Sequence, residues 1–249
     1  MQLYNGDCLE IMKDIPDKSI DMILCDLPYG ITACKWDVII PFEPLWEQYN
    51  RVIKDNGAIV LFGTEPFSTQ LKMSNLKHYK YDWIWNKVRG VGFQIARYRP
   101  MQQHEYISVF CNGKLNYYPI MEKRDKVKKS KNYGNSKVCR LQSNDMKERI
   151  YTEKYPTSIL TYSNASQKGR LHPTQKPTDL LEYLIKTYTL EGETVLDNCM
   201  GSGSTGVACI NTNRDFIGIE LDKKYFGVAQ KRIQAAEMEK TYSLFKGAV

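Results

Sequence analysis

The stretch that decides the fold is Val195-Leu196-Asp197-Asn198-Cys199-Met200-Gly201-Ser202-Gly203-Ser204-Thr205-Gly206. Its apolar start predicts a buried strand that ends at Asp197, and a helix is predicted to begin at Ser204. The glycines between them allow the backbone to approach a ligand closely, and the helix N-terminus favours electron-rich groups. The next predicted strand, 216–219, ends at a second carboxylate, Glu220. This combination predicts a ligand site at a strand–turn–helix junction.

The chemistry of the ligand depends on Asp197. The stretch matches the GxGxxG fingerprint of dinucleotide sites, but Val207 stands where a P-loop requires lysine. A carboxylate at the strand tip repels a pyrophosphate and attracts an ammonium group, such as that of S-adenosylmethionine. Glu220 is placed to accept hydrogen bonds from ribose hydroxyls. We therefore favour S-adenosylmethionine over a nicotinamide cofactor, and a tight turn without a ligand is the structural alternative.

Strands and helices alternate along most of the chain. Strands are predicted at 20–25, 58–62, 81–85, 106–110, 194–196 and 216–219, and helices at 8–13, 43–54, 67–76, 178–189, 204–210 and 225–239. This alternation predicts an α/β fold with a doubly wound, mostly parallel sheet. No clear period survives in 112–170, so we expect a core formed by 1–111 and 171–249 with a functional insertion at 112–170.

The insertion holds the excess positive charge of the chain. The whole chain has a net charge of +7. The insertion contains 14 Lys/Arg and 5 Asp/Glu, whereas the rest of the chain holds 21 Lys/Arg and 23 Asp/Glu. Such a segment is typical of a surface that binds a polyanion, and a solvated basic loop is the alternative. The seven cysteines form no CxxC pair, so neither a zinc site nor a disulfide framework is predicted. With no signal peptide and no long apolar run, we expect a cytoplasmic protein without membrane spans.

A second motif, Asp26-Leu27-Pro28-Tyr29, follows the predicted strand at 20–25. The carboxyl ends of the strands face the ligand crevice in an open α/β sheet, so this turn is expected beside the cofactor. The carboxylate of Asp26 and the carbonyl of Leu27 can accept hydrogen bonds from an exocyclic amine and free its lone pair. Pro28 stiffens the turn, and Tyr29 offers a ring on which an extruded base can stack. The four residues are the predicted catalytic set, and no metal is predicted.

These motifs, in this order, resemble the β-class amino-methyltransferases of DNA, in which the catalytic motif precedes the cofactor motif. Asp26-Leu27-Pro28-Tyr29 resembles the DPPY motif of that family, with Leu27 in place of proline. The resemblance covers most of the chain outside the insertion, and further segments resemble phage and prophage adenine methylases. It implies a bacterial or phage-encoded enzyme that methylates adenine N6 in double-stranded DNA.

The resemblance also implies a set of cofactor-binding residues. Asn5-Gly6-Asp7-Cys8 is similar to an adenine-contacting motif, and His172-Pro173-Thr174-Gln175-Lys176-Pro177 to a segment that closes over the methionine carboxylate. The set is Asp7, Cys8, Asp26, Thr174, Lys176, Asp197, Gly201, Ser202, Gly203, Ser204, Thr205, Glu220 and Leu221. Asn198-Cys199 stands where the family has an aromatic residue after the aspartate.

The layout of the family places target recognition in the basic insertion. The expected DNA-binding residues are Lys123, Arg124, Lys128, Lys129, Arg140 and Arg149. Four alternatives stay open: a cytosine-N4 enzyme, an RNA methyltransferase, a nicotinamide-dependent oxidoreductase, and a non-catalytic DNA-binding module. A homodimeric state and a partner restriction endonuclease also stay open.

Overall fold

A computed structural model describes residues 1–32, 34, 37–131, 148–163 and 175–247 of the protein. The chain divides into two compact units: one comprises Met1–Tyr118 with Ser158–Val249, and the other Pro119–Thr157. The predicted insertion 112–170 therefore extends beyond the second unit at both ends. Its margins belong to the first unit because the Tyr118 amide donates to the Thr187 carbonyl at 2.8 Å, and a strand after Ser158 joins the main sheet.

The secondary structure comprises ten strands and six α-helices in the described part of the chain. The strands are β1 (Gln2–Asn5), β2 (Ile20–Cys25), β3 (Ile53–Gly63), β4 (Tyr79–Val91), β5 (Gln102–Phe110), β6 (Glu122–Lys131), β7 (Glu148–Lys154), β8 (Ile159–Thr161), β9 (Thr194–Asp197) and β10 (Asp215–Glu220). The helices are α1 (Cys8–Ile11), α2 (Phe42–Val52), α3 (Phe67–Ser74), α4 (Thr178–Tyr188), α5 (Ser204–Asn211) and α6 (Lys223–Gly247). Two 3₁₀ turns, Met12–Asp14 and Phe93–Ile95, complete the set.

The first unit is built on an eight-stranded sheet of order β1-β10-β9-β2-β3-β5-β4-β8. The pairs from β1 to β3 are parallel, as is β4 with β8, and β5 is antiparallel to both of its neighbours. The prediction of an α/β, mostly parallel sheet is confirmed. Parallel strands that are covered on both faces are apolar along most of their length, which explains the apolar run at 22–25 in β2.

Side chains of β2 alternate between two hydrophobic cores. Met22 and Leu24 pack on one face with α4 and α5, whereas Ile23 and Cys25 pack on the other face with α2 and α3. The period of two along the strand and the helical spacing of the flanking segments therefore agree. Helices on both faces make the sheet doubly wound, and the loops at the carboxyl ends of the strands are left to form a site.

Four strands were not predicted. β1 is short and mostly exposed, so its sequence carries no apolar pattern. The other three, β6, β7 and β8, lie where no periodicity was found. β6 and β7 form an antiparallel two-stranded ribbon in the second unit, in which Lys128 is opposite Tyr151 and Lys129 opposite Ile150. Because charged residues dominate this ribbon, hydrophobic alternation could not indicate it.

Membrane insertion finds no support in the helices. Among the residues that the structure describes, none of the helices has the length and apolar character that a membrane span requires.

Candidate active site

A cavity of about 580 Å³ opens at the carboxyl ends of the parallel strands in the first unit. Residues that follow β1, β2, β9 and β10 converge on it: Asp7, Asp26, Asp197 and Glu220 all line its wall. A volume of this order suits a small-molecule ligand. The two motifs that the sequence separates by about 170 positions therefore share one cavity.

The catalytic turn is fixed by contacts to Asp26. The hydroxyl of Tyr29 donates to Oδ1 of Asp26 at 2.5 Å, and Nζ of Lys176 donates to Oδ2 at 2.5 Å. The ring of Tyr29 stacks on Phe67, with centroids 4.9 Å apart and planes at 28°. Each carboxylate oxygen retains a second lone pair, so Asp26 can accept further hydrogen bonds from a ligand in the cavity.

Lys176 belongs to a buried group of four charges, which we call the charge cluster: Asp26, Lys87, Glu105 and Lys176. Nζ of Lys176 lies 3.4 Å from Oε2 of Glu105, and Nζ of Lys87 lies 2.8 Å from Oε1. The Lys176 ammonium also lies 5.0 Å from the centroid of the Phe62 ring. Two carboxylates and two ammonium groups balance, which lowers the cost of burying each of them.

The charge cluster sets the protonation of its members. Burial raises the pKa of Asp26 and outweighs the opposing effect of Lys176, while Glu105 raises it further. Burial also acts on Glu105, but Lys176 and Lys87 outweigh it and hold the pKa of Glu105 below its ordinary value. Burial disfavours the charged form of Lys176, yet Asp26 and Glu105 raise its pKa. Lys176 therefore remains an ammonium ion that opposes the protonation of Asp26.

Asp37 holds the loop that follows the catalytic turn. Its carboxylate accepts hydrogen bonds from the backbone amides of Gly30 at 2.8 Å, Ile31 at 3.0 Å and Thr32 at 2.7 Å. Burial alone raises the pKa of Asp37, but the Thr32 hydroxyl and the three amides outweigh it, so the pKa lies below the ordinary value. Asp37 thus positions Ile31 and Thr32, which line the cavity.

The glycine turn is organised around Asp197. Oδ2 of Asp197 accepts from the hydroxyl of Thr205 at 2.6 Å, and Oδ1 accepts from the amide of Cys199 at 3.1 Å. Only 4% of the residue is exposed, and burial raises the pKa of Asp197 to about 7. Among the residues that the structure describes, no lysine or arginine pairs with Asp197, so this buried carboxylate is suited to a cationic group of a ligand.

Glu220 is the last residue of β10, and its carboxylate connects the glycine turn with the segment that follows β10. Its Oε2 accepts from the amide of Gly201 and its Oε1 from the amide of Asp222, each at 2.8 Å. Burial raises the pKa of Glu220 despite these amides. The remaining lone pairs of the carboxylate are those available to hydroxyl donors in the cavity.

Most of the predicted cofactor residues line the cavity. They are Asp7, Cys8, Asp26, Lys176, Asp197, Gly201, Ser202, Ser204, Thr205, Glu220 and Leu221, and the catalytic residues Leu27, Pro28 and Tyr29 join them. Thr174 lies outside the described residues. Gly203 does not line the cavity: it adopts a left-handed φ of 76°, and a Cβ there would stand 3.0 Å from Cβ of Ala229 in α6.

Asn198 and Cys199, which replace the expected aromatic residue, both line the cavity. Asn198 is buried, and its Oδ1 accepts a hydrogen bond from the hydroxyl of Tyr49 at 2.6 Å. Cys199 lines the cavity beside Cys8. Two thiols therefore supply the wall of the cavity at this point.

The second unit carries the described part of the predicted DNA-binding set. Lys123, Lys128 and Lys129 lie on β6 and are exposed, whereas Arg124 is half-buried and its Nε donates to the Glu153 carbonyl at 2.9 Å. Arg149 lies on β7 and pairs in register with Ser130. Arg140 lies outside the described residues.

Comparison with known proteins identifies the class that this fold and cavity define. A family model described as DNA methylase (N6_N4_Mtase) matches residues 20–231. The chain therefore belongs to this family of DNA methyltransferases, as predicted, and S-adenosylmethionine is the methyl donor of the class.

Individual relatives are also named as methyltransferases. The chain is 28% identical to the type II methyltransferase M.HpaI of Haemophilus parainfluenzae, over 94% of this chain and 74% of the relative. It is 29% identical to the type II methyltransferase M2.DpnII of Streptococcus pneumoniae, over 94% and 90%. The crystal structure of an M1.HpyAVI–SAM complex is similar, with a TM-score of 0.63, 27% identity, and coverage of 93% of this chain and 98% of that one.

Sequence reasoning did not assign Lys87 and Glu105 to the site. Both lie inside strands with aromatic and β-branched neighbours, which predicted sheet structure only. The signal available was that each is a charged residue in a segment of apolar alternation, and a charge in a buried strand requires a partner.

Proposed function

We propose that this methyltransferase transfers a methyl group from S-adenosylmethionine to N6 of adenine in double-stranded DNA, by direct displacement on an extruded base. One observation carries the proposal: Asp26 of the catalytic turn lies in the same cavity as Asp197 and Glu220, the two carboxylates suited to the cofactor. Catalysis in this arrangement is the positioning of two reactants side by side.

The described residues fit the cofactor. Asp197 faces the cavity as a buried carboxylate that suits the methionine ammonium, and Glu220 suits the ribose hydroxyls. Gly201 lines the cavity and adopts a left-handed φ of 53°, and without a side chain it leaves room for the ligand. Lys176, which the resemblance assigned to the methionine carboxylate, pairs with Asp26 and Glu105, so we assign it to the catalytic side.

The bound cofactor supplies a methyl group on a sulfonium sulfur, which needs no activation by a metal or a covalent enzyme intermediate. Asp26 and the Leu27 carbonyl accept hydrogen bonds from the two N–H groups of the base amine, which localises the nitrogen lone pair. Asp26 then takes the proton that the nitrogen loses as its N–C bond replaces the C–S bond of the sulfonium, whose electron pair stays on sulfur. The base lies against Tyr29, whose position is fixed by Phe67 and by the hydrogen bond to Asp26. Lys176 favours the ionised form of Asp26, which is the form that accepts.

Adenine is proposed rather than cytosine because aspartate precedes Leu27-Pro28-Tyr29, which resembles the adenine-modifying members. Expression in a methylation-free bacterial host, followed by sequencing that reports modified bases, tests this choice. We expect N6-methyladenine at one recurrent motif. N4-methylcytosine would retain the mechanism and correct the base, and an unmodified genome from folded protein would contradict the proposal.

An Asp26→Ala variant tests the mechanism itself. Transfer should be abolished while affinity for the cofactor, measured by calorimetry, stays at the wild-type value, because Asp197 and Glu220 are untouched. Full activity of the variant would contradict the catalytic role of Asp26. Loss of both activity and cofactor binding would show that the turn is structural.

We further propose that exposed lysines on the β6–β7 ribbon bind DNA phosphates. A comparison of duplex DNA, single-stranded DNA and RNA as methyl acceptors separates the DNA enzyme from an RNA methyltransferase. Since the proposed substrate is genomic DNA, we also propose the bacterial cytoplasm as the location of the enzyme. By analogy with type II relatives, its proposed role is to protect DNA from a companion endonuclease. A homodimer stays a prediction that analytical ultracentrifugation can measure.

A further inference from the structure

The segment from Val88 to Met101, here called the 88–101 loop, forms the tip of the β4–β5 hairpin in the first unit. It contains Arg89, Arg97 and Arg99 and no acidic residue. All three arginines are exposed, and within the described part of the chain none of them has an ion pair or a hydrogen bond from its guanidinium. This positive charge lies outside the insertion to which DNA binding was assigned.

The same loop exposes large apolar side chains. Phe93 is 79% and Tyr98 83% exposed, the highest values for large hydrophobic residues in the described part of the chain. Val88, Val91, Ile95 and Met101 are exposed as well. Exposed apolar side chains are unfavourable in water, so a cluster of them among unpaired cations indicates a surface that a binding partner covers.

The loop is ordered by its own hydrogen bonds. A 3₁₀ turn holds Phe93, where the Ala96 amide donates to the Phe93 carbonyl at 3.1 Å, and the Tyr98 amide donates to the Ile95 carbonyl at 3.0 Å. Val88 adopts a φ of 70°, a left-handed conformation that is unfavourable for a β-branched residue. Strain of this kind persists where the surrounding structure imposes it, and it is concentrated at functional sites.

The loop rises from the rim of the catalytic cavity. Val91 and Gln102, paired in register where β4 ends and β5 begins, both line the cavity, as do Lys87 and Glu105 below them. On the side of the catalytic turn, the exposed side chains of Ile31 and Val38 also line it. A nucleotide whose base enters the cavity must therefore have its neighbouring nucleotides close to the 88–101 loop.

We propose that the 88–101 loop binds the DNA duplex next to the extruded base, with Arg97 and Arg99 on phosphates and with Phe93 and Tyr98 against base faces. Guanidinium groups pair with phosphate oxygens through two parallel hydrogen bonds. Extrusion of a base exposes the faces of its stacked neighbours, and aromatic rings compensate that loss. The inference rests on the proposed function, since it requires a flipped base in the cavity.

Two double variants test the proposal: Arg97→Gln with Arg99→Gln, and Phe93→Ala with Tyr98→Ala. Lys231→Gln and Tyr242→Ala, exposed residues of α6, are the matched controls. The probe is a labelled duplex that carries the motif modified in vivo, titrated across salt concentrations. The arginine variant should reduce the slope of log affinity against log salt by about 2, since each phosphate contact contributes about 0.9.

The aromatic variant, which removes two stacking rings, should bind the duplex more weakly by about 30-fold or more. It should also reduce the fluorescence gain of 2-aminopurine at the target position, with cofactor affinity unchanged. Wild-type slope, affinity and fluorescence in both variants would overturn the proposal. If those variants instead lost only self-association in sedimentation, the surface would contact a second copy, which also overturns it. A wild-type enzyme that neither binds nor methylates duplex DNA would contradict the proposed function rather than the role of the loop.

Discussion

Nζ of Lys176 lies 2.5 Å from Oδ2 of Asp26, although 150 positions of sequence separate the two residues. The contact joins a residue that precedes α4 to the turn that follows β2. It places a permanent positive charge against the carboxylate on which methyl transfer depends. Lys176 therefore lowers the pKa of Asp26 and opposes the effect of burial, which raises it.

Removal of Lys176 should raise the pKa of Asp26, because burial and Glu105 are then opposed only by the hydrogen bond from Tyr29. A protonated Asp26 accepts the amine hydrogen bond more weakly and cannot take the proton that the amine loses, so we expect Lys176→Gln to lower kcat at neutral pH by about 100-fold or more. The pH–rate curve should move to higher pH. Lys176→Arg, which keeps the charge, should restore part of the rate, and an unmoved pH profile would show that Lys176 acts only through packing.

Glu105→Gln should have the opposite effect. In the wild type, the Glu105 carboxylate raises the pKa of Asp26, and the variant removes this effect. Lys176 then pairs with Asp26 and no longer with Glu105. Stopped-flow or single-turnover rates as a function of pH should then move to lower pH than in the wild type. Shifts of the same sign in Lys176→Gln and Glu105→Gln would contradict electrostatic control of Asp26 by the charge cluster.

Cofactor affinity should depend on pH through Asp197, whose pKa burial raises to about 7. The cationic methionine ammonium favours the ionised carboxylate, so binding should weaken as pH falls from 8 to 6 and Asp197 gains a proton. Calorimetric titrations over that range provide the measurement. The control is Asp197→Asn, which should bind weakly with a much flatter pH dependence; an equally steep dependence would assign the titration to another group.

Stability should respond to pH in the opposite sense at the same residue. A carboxyl with a raised folded-state pKa binds more protons folded than unfolded, between its ordinary value and about 7. Its contribution is therefore complete at low pH and is lost as pH rises towards 7. Ionised Asp197 is a cost to the free protein that the cofactor ammonium offsets.

Gly206 distinguishes packing from ligand binding within the glycine turn. A Cβ at Gly206 would stand 2.5 Å from Cδ1 of Ile233 and 2.9 Å from the Phe216 ring, whereas Gly227 in α6 has nothing within 4 Å. Gly206→Ala should lower the free energy of unfolding by about 1–3 kcal/mol. Gly227→Ala should raise it by up to about 1 kcal/mol, since alanine is the better helix former. Denaturant unfolding of both variants measures the contrast.

A loss of cofactor affinity in Gly206→Ala without loss of stability would reverse this assignment. The GxGxxG match in the sequence treats all three glycines alike. In the structure, Gly201 borders the cavity whereas Gly203 and Gly206 fit α5 against α6.

Local patterns were sufficient for six of the eight strands of the main sheet and for the two strand-end carboxylates. Asp197 and Glu220 each follow an apolar strand, and strand ends in a parallel sheet meet at one edge, so their convergence follows from topology. The partner of Lys176 was not accessible in this way. The carboxylate with which a lysine pairs depends on the directions of side chains from several strands, which local sequence patterns do not indicate. Glu105 lies on β5, between β3 and β4, and no motif surrounds it in the sequence.

The basic insertion shows the same limit. Its charge was visible in composition, but the β6–β7 ribbon has no alternation because its strands carry lysines on exposed positions. Conversely, the three arginines of the 88–101 loop are too few to alter the charge balance of the core. Their significance comes from exposure beside the cavity, which only three-dimensional structure provides.

Glu220 provides the last test, because both of its carboxylate oxygens already accept backbone amides. If its remaining lone pairs bind the ribose, Glu220→Gln should weaken cofactor binding by about 10- to 100-fold, the usual effect of losing hydrogen bonds to a charged group. Duplex affinity should change little, because the residue lies on the cofactor side of the cavity. Parallel calorimetry with S-adenosylmethionine and with its analogue lacking the ribose hydroxyls separates the two roles: the variant should discriminate between the ligands far less than the wild type. Equal discrimination in both proteins would show that Glu220 serves the turn and not the ribose.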